Sequence, residues 1–431
     1  MKIIRGIDLY AKIIYTVGIM MLNYTVRNFY SIGEDGITID FAVDGNAPKN
    51  NLFIDRGDVA GRVSLIESVI GPNASGKTKV LQGIAFLKHL IAYSYHNDPK
   101  ADILFEPHAA CSKKPSEIAS KFTVGDRVFE YLFILDDKKI IKEELKEYSR
   151  TKERITSKTL ASREWDSTTE SYKLTDKGLG ISSASELRRN ASMISSTMQK
   201  ENPSDLAKII SDYWSEDVFE YNLWVQGNKE DSSLAFDRLV MRSLHQLSEN
   251  KTNAVSKKVK ETLTKYDIGF NDFFRYETKL PITGANKRIV YGIKHSFLNN
   301  DFNTLIEQES SGTKRMIVIL DCIMKALSVK GGGIAIIDEI DAFLHPDIVE
   351  AFVDLFISPS TNPNKAQLLF STHNHRLLNS FDSRQIVLVE KNKQGKTESW
   401  RLDEMEGVKS TDNYYTRYIS GAYGARPKIG A

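Results

Sequence analysis

The run Gly71-Pro72-Asn73-Ala74-Ser75-Gly76-Lys77-Thr78 carries the residue types that wrap a polyanion. Glycines let successive backbone N–H groups turn toward one anion, and a helix starting at the end of the run adds the partial positive charge of its N-terminus. At the spacing GxxxxGK[ST], Lys77 is placed to reach the β- and γ-phosphates of a nucleoside triphosphate, and the Thr78 hydroxyl to ligate Mg2+. A second reactive pair, Asp338-Glu339, ends an apolar run that starts at Gly333. Adjacent carboxylates at the end of a buried strand suit different tasks: Asp338 holds the Mg2+ with its water shell, while Glu339 polarises an attacking water. The sequence thus predicts a P-loop and a Walker B strand, with ATP and Mg2+ as the bound species.

These motifs need particular elements around them. The apolar stretch Val63 to Ile70 supplies a strand before the P-loop, and Val80 to Ile91 a helix pattern after it. Upstream of Walker B, Glu309-Ser310-Ser311-Gly312-Thr313-Lys314-Arg315 leads into the apolar helix pattern Met316, Ile317, Ile319, Leu320, Ile323, Met324, Leu327. A small-residue loop at a helix start is a second anion site, and its plainer reading is a helix cap. Downstream, Leu368 to Thr372 reads as a short strand ending in His373, with Ile340 to Pro346 between the two strands.

Composition points to a soluble, cytoplasmic chain of 431 residues, 41% apolar and 26% charged, whose net charge of +2 gives no global bias toward polyanions. Cys111 and Cys322 are far apart and read as reduced thiols. No apolar run reaches bilayer length, so no membrane contact is expected. The basic, partly apolar start is interrupted by Asp8 and Lys12, and residues 1–20 are expected to be an N-terminal extension of little structural importance. Lys138 to Lys158 is rich in lysine and arginine, but Glu143, Glu144, Glu147 and Glu153 are interleaved, which predicts a solvated, ion-paired face.

The wide separation of the P-loop from Walker B implies a head split by an insertion. Leu22 to Val26 and Ile37 to Phe41 alternate like paired strands, and residues 119–147 read as antiparallel strands of a side lobe. From Ser183 to about Tyr266 the chain is helix-like, with candidate starts at Ser183 and Ser204; strands return near Phe270 to Leu280 and Ile289 to Phe297. The expected division is residues 21–180 as the N-terminal part of the head with the β lobe, 181–268 as a helical insertion, and 269–431 as the C-terminal part of the head. The insertion lacks sustained heptads and is too short for a long coiled-coil arm.

GPNASGKT resembles the GxNGxGK[ST] loop of ABC- and SMC-type ATPases. Ser310-Ser311-Gly312 resembles their signature loop, Ile340 to Pro346 their D-loop, and His373 their switch histidine. The resemblance implies an α/β fold, a P-loop NTPase of the ABC/SMC head type with a mixed central sheet, an antiparallel β side lobe and a helical insertion. It also implies composite ATP sites in a homo-oligomer, with Ser310, Ser311 and Gly312 of one copy closing over the γ-phosphate held by Gly71 to Thr78 of another, and Glu339 and His373 acting on it. The signature departs from LSGGQ at Glu309, Ser311 and Thr313. The whole pattern, with Asn28-Phe29-Tyr30-Ser31 and the tail Tyr418 to Pro427, is similar to ABC-type ATPases of bacterial abortive-infection and anti-phage systems: AbiL-type ATPases, OLD-like heads and the ATPase subunit of the PARIS system. That likeness implies a sensor of a phage trigger protein or DNA that regulates a separate effector nuclease of the Toprim type. The 58 residues after His373 are too few for a Toprim domain, and their acids show no strand-end DxD arrangement. The alternative is a RecF- or SMC-like ATPase acting on DNA in repair or recombination.

Overall fold

Strands near both ends of the chain share one sheet, and that assembly positions the site. In the computed structural model residues 18–152, 154–221, 223, 232–249, 254–266, 269–279, 287–297 and 300–427 are described. Most of the expected 1–20 extension lies outside these residues. The expected strands at Leu22 to Val26 and Ile37 to Phe41 are present as β1 (Ile19–Arg27) and β2 (Ile37–Asp40), which pair antiparallel.

Along the chain follow β3 (Ile66–Ile70), α1 (Lys77–Lys88), and β4 (Ser116–Val124), β5 (Arg127–Leu135), β6 (Ile140–Arg150), β7 (Ile155–Asp166) and β8 (Ser171–Asp176). Among the described residues the seven strands β8-β7-β6-β5-β4-β1-β2, in that order, form one antiparallel sheet. The side lobe therefore extends through β7 and β8, beyond the strands legible at 119–147. Its β6 carries the interleaved charges, and Glu144 pairs there with Lys142 and Lys146 on a half-buried, ion-paired face. Glu143 does not: it is fully buried against Arg163 of β7.

The next elements are α2 (Asp205–Asp212), capped by the Ser204 hydroxyl, β9 (Val218–Tyr221), α3 (Ser232–Glu249) and α4 (Ala254–Tyr266). Ser183 caps only a single 3-10 turn. Then come β10 (Phe270–Lys279), β11 (Lys287–Phe297) and β12 (Asn300–Leu305), a separate antiparallel sheet leading into α5 (Ser311–Ser328). The head closes with β13 (Ile334–Ile337), α6 (Pro346–Ile357), β14 (Gln367–Thr372), β15 (Ile386–Lys391), β16 (Thr397–Arg401) and α7 (Tyr414–Ile419).

The central sheet has the order β9-β13-β14-β3-β15-β16, parallel except for the last pair. Ile334 to Ile337 and Gln367 to Thr372 are buried along their whole length, as strands covered on both faces must be. Within 181–268 the helices are thus interrupted by β9, which adds to the edge of the head sheet beside Walker B. Asp321 of α5, buried, accepts a hydrogen bond from Ser243 of α3 at 2.9 Å, which ties the helical segment to the signature helix. Among the described residues no helix is long and apolar enough to cross a membrane.

Candidate nucleotide site

β3 delivers the chain to the P-loop at the C-terminal end of the parallel strands, the usual ligand edge of such sheets. Gly76 is the N-cap of α1 with φ of 108°, and a Cβ there would stand 2.2 Å from Thr397 Oγ1, so only glycine fits. The Thr397 hydroxyl lies 2.8 Å from Ser31 Oγ and 3.0 Å from the Ser75 carbonyl oxygen, which seats the loop on β16. Ala74 holds a left-handed φ of 61° despite its Cβ, a strain of about 1–2 kcal/mol of the kind kept at functional loops.

Lys77 is buried, and its ammonium donates to the carbonyl oxygens of Gly71 at 2.8 Å and Pro72 at 2.9 Å. Burial pulls its pKa below the ordinary lysine value, against the opposing pull of Asp338, Glu339 and Asp341. Across the loop, the Ser371 hydroxyl donates to Asp338 Oδ1 at 2.5 Å and accepts the Glu339 N–H at 2.8 Å. One β14 side chain therefore fixes both Walker B acids. Asp338 is 2% exposed, whereas the Glu339 side chain is 44% exposed on a backbone of φ 50°. The first acid is held, and the second is presented.

His373 follows β14, and its backbone N–H donates to both carboxylate oxygens of Asp341 at 3.1 Å. Burial, with Lys77, holds the imidazole below its ordinary pKa against Asp341, Glu339 and Asp338. Lys77, Asp338, Glu339, Asp341 and His373 thus lie within electrostatic reach of one another. Beside the P-loop opens a groove of about 590 Å3, lined by Gly71 to Ser75, His373, His375 and Arg426. Ser75 Oγ is buried with no hydrogen-bond partner among the described residues, as expected of a loop that awaits phosphate oxygens. The same residues contain no cluster of three or more His, Cys, Asp or Glu side chains that could hold a metal. A divalent ion bound by Thr78 and Asp338 would therefore need phosphate oxygens to complete its shell, the normal habit of Mg2+ at nucleotides.

Residues 68–379 match the family described as "AAA domain, putative AbiEii toxin, Type IV TA system". The chain belongs to this family. The matched span holds the P-loop from Gly71, the Ser310 loop, the Asp338-Glu339 pair and His373, and this AAA-family chain is a mixed α/β P-loop fold built on a largely parallel central sheet. Three solved structures are similar to it. One is the Smc head domain with an extended coiled coil from Pyrococcus furiosus, bound to the C-terminal domain of ScpA: 13% identical, TM-score 0.43, covering 90% of this chain and 97% of that one. Another is the Smc head domain with a coiled coil and joint from Pyrococcus yayanosii, at 11% identity and TM-score 0.43, covering 94% and 99%. The third is the recombination mediator RecF with ATP, at 7% identity and TM-score 0.34, covering 83% and 92%. No curated protein matches the chain.

The signature-like loop lies elsewhere on the AAA-family head. Ser310 is the N-cap of α5, its hydroxyl accepting the Thr313 N–H at 3.0 Å, so the plain capping role is real. Ser310 and Ser311 are exposed, and neither they nor Gly312 line the P-loop groove. Arg315, one turn into α5, sits 3.9 Å from Glu339 Oε2 and packs over the rings of Tyr221 and Phe343. Phe343 itself is 75% exposed at φ 62°. Sequence position alone does not single out Ser371, Arg315 or Asp341 as partners of the acids; the available signal is that Ser371 ends a buried strand next to Walker B.

Proposed function

We propose that this chain hydrolyses ATP to ADP and phosphate in composite sites shared between copies of itself, and that the cycle switches a separate effector in anti-phage defence. The observation that carries the hydrolytic part is the Ser371 bridge, which pins Asp338 in the interior while leaving Glu339 open to solvent opposite Lys77 and His373. Lys77 exchanges its two carbonyl partners for phosphate oxygens when nucleotide enters. Thr78 and Asp338 would hold Mg2+, whose charge neutralises the β- and γ-phosphates. Glu339 orients water and takes its proton, and His373 contacts the terminal phosphate from the opposite wall.

Composite sites are supported by the exposed Ser310, Ser311 and Phe343, which share the Walker B side of the head yet are absent from the groove of their own copy. A two-fold related copy would apply the same patch to the first P-loop. The defence role, a phage trigger and a Toprim-type effector rest on the motif resemblance to AbiL-type, OLD-like and PARIS-system ATPases. The deciding experiment is sedimentation of Glu339→Gln with and without MgATP: association on ATP binding is expected, and a monomer saturated with ATP refutes the shared site. Copurification with a nuclease encoded next to this gene supports the effector. Turnover stimulated by duplex DNA and suppressed by salt favours the repair reading instead.

A further inference from the structure

The segment after α7 takes no part in that mechanism, yet it ends against the P-loop. Tyr418 is buried, its ring centroid 4.6 Å from that of His375, and its hydroxyl donates to the Ala425 carbonyl oxygen at 2.6 Å. The Ala425 N–H donates to Glu390 Oε2 of β15 at 3.0 Å. Both backbone groups of Ala425 are thereby pinned, and the residue is held at φ 52°, a left-handed conformation that costs free energy for any residue with a Cβ. Pro427 follows and confines the residue before it to extended conformations.

Between these two constraints sits Arg426, exposed, on the wall of the groove formed by Gly71 to Ser75, His373 and His375. Among the described residues its guanidinium has no hydrogen bond and no ion-pair partner. The groove wall also carries Lys391 and Glu390, and the Glu390 carboxylate is already engaged by the Ala425 N–H; burial and His373, with Lys77 and Arg426, hold His375 below its ordinary pKa against Asp341. A strained backbone that presents an unpaired guanidinium to a groove floored by the P-loop suits an anion that arrives later.

We propose that Arg426 is a phosphate-contacting residue supplied by the same chain, which reaches the terminal phosphate of the bound nucleoside triphosphate and makes the C-terminal segment sensitive to its presence. This rests on reading the P-loop as the ATP site. The terminal phosphate is favoured over the base because His373, within electrostatic reach of the Walker B acids, lines the same groove. Arginine suits the task because its planar fork pairs with two phosphate oxygens at once.

The test titrates MgATP and MgADP into the full chain carrying Arg426→Ala or Arg426→Lys. Loss of a charge-assisted contact predicts that Arg426→Ala weakens ATP about 10- to 100-fold and ADP less than about 3-fold. Arg426→Lys falls between, since a point charge keeps attraction but loses the fork. Tyr418→Phe keeps the ring on His375 and releases the Ala425 carbonyl; a smaller loss selective for ATP is expected. ATP affinity unchanged in Arg426→Ala, or ATP and ADP weakened alike, overturns the assignment while leaving the ATPase reading intact. Loss of self-association or DNA binding with ATP affinity preserved overturns it in favour of an interface role. A wild-type chain that binds neither nucleotide overturns both.

Discussion

In the antiparallel lobe, Glu143 and Arg163 face each other across β6 and β7, both fully buried, joined at 2.7 Å. Tyr131 and the Met193 N–H also donate to Glu143, and Arg163 donates to the carbonyl oxygens of Arg188 and Ala191. At the nucleotide site the same kinds of group are gathered but only loosely engaged: Lys77 is bonded to backbone carbonyls, Glu339 is 44% exposed with Arg315 no nearer than 3.9 Å, and Arg426 has no ion-pair partner among the described residues. One cluster has spent its charges on holding β6, β7 and the following loop together. The other keeps them for a visitor. Buried charge by itself does not mark a functional site; unsatisfied charge beside a cavity does.

Breaking the open cluster should have the largest effect. Lys77→Ala is expected to lower ATP affinity by at least about 100-fold in calorimetric titration. Glu339→Gln should keep ATP affinity but cut steady-state phosphate release by about 100- to 10,000-fold. Turnover retained by Glu339→Gln would remove that residue from the catalytic role.

The closed cluster should answer in stability instead. Arg163→Met strands a buried carboxylate and is expected to cost about 3–5 kcal/mol in urea unfolding, whereas the double replacement Glu143→Leu with Arg163→Met should cost less than either single change. Additive costs would show that the two residues do not act as a pair.

Ser371→Ala sharpens the contrast further, because it removes a hydrogen bond inside the open cluster without touching a charge. Turnover should fall by about 10-fold, the equivalent of about 1.4 kcal/mol, with little change in ATP affinity.

The smallest effect concerns pH. His373 has its pKa lowered by burial and Lys77, and His375 by burial and its cationic neighbours, so the unfolded chain takes up these protons at higher pH than the folded chain. The resulting stability is present above the unfolded value of about 6.5 and is lost as pH falls through it toward the folded values. Melting curves of His373→Gln, His375→Gln should therefore depend less on pH between about 7 and 5.5 than those of wild type. Parallel curves would show that neither imidazole titrates differently on folding.

The strands that lead into Gly71, Asp338 and His373 are legible in sequence because each is a short, largely apolar run, fully buried in the fold, with candidate reactive residues at its end. α1 begins at Lys77, ahead of the first apolar helix position at Val80, because the loop itself furnishes the first turn. Less could be read where pattern and placement diverge. β7 is mostly half-exposed or exposed, so its alternation is faint, and β9 has only four residues within a helix-like stretch. Glu143 looks like one more acid on a charged face; residues 143 and 145 turn inward while 142 and 144 turn outward, and only Arg163 on the next strand explains why. Arg426 and Ser371 gain meaning from tertiary neighbours hundreds of residues away in the first case and one strand away in the second.

The position of β3 between β14 and β15 has a consequence for biosynthesis. A nascent chain that has emerged only as far as α5 holds the strand bearing the P-loop with neither of its parallel partners, and neither the loop's support at Thr397 nor the Ser371 anchor of Asp338 and Glu339 yet exists. Such long-range pairings form late and leave apolar strands waiting in the meantime. A fragment that stops short of β16 is therefore expected to lack a seated P-loop, and truncation before Thr397 should abolish nucleotide binding even though Gly71 to Thr78 are all present.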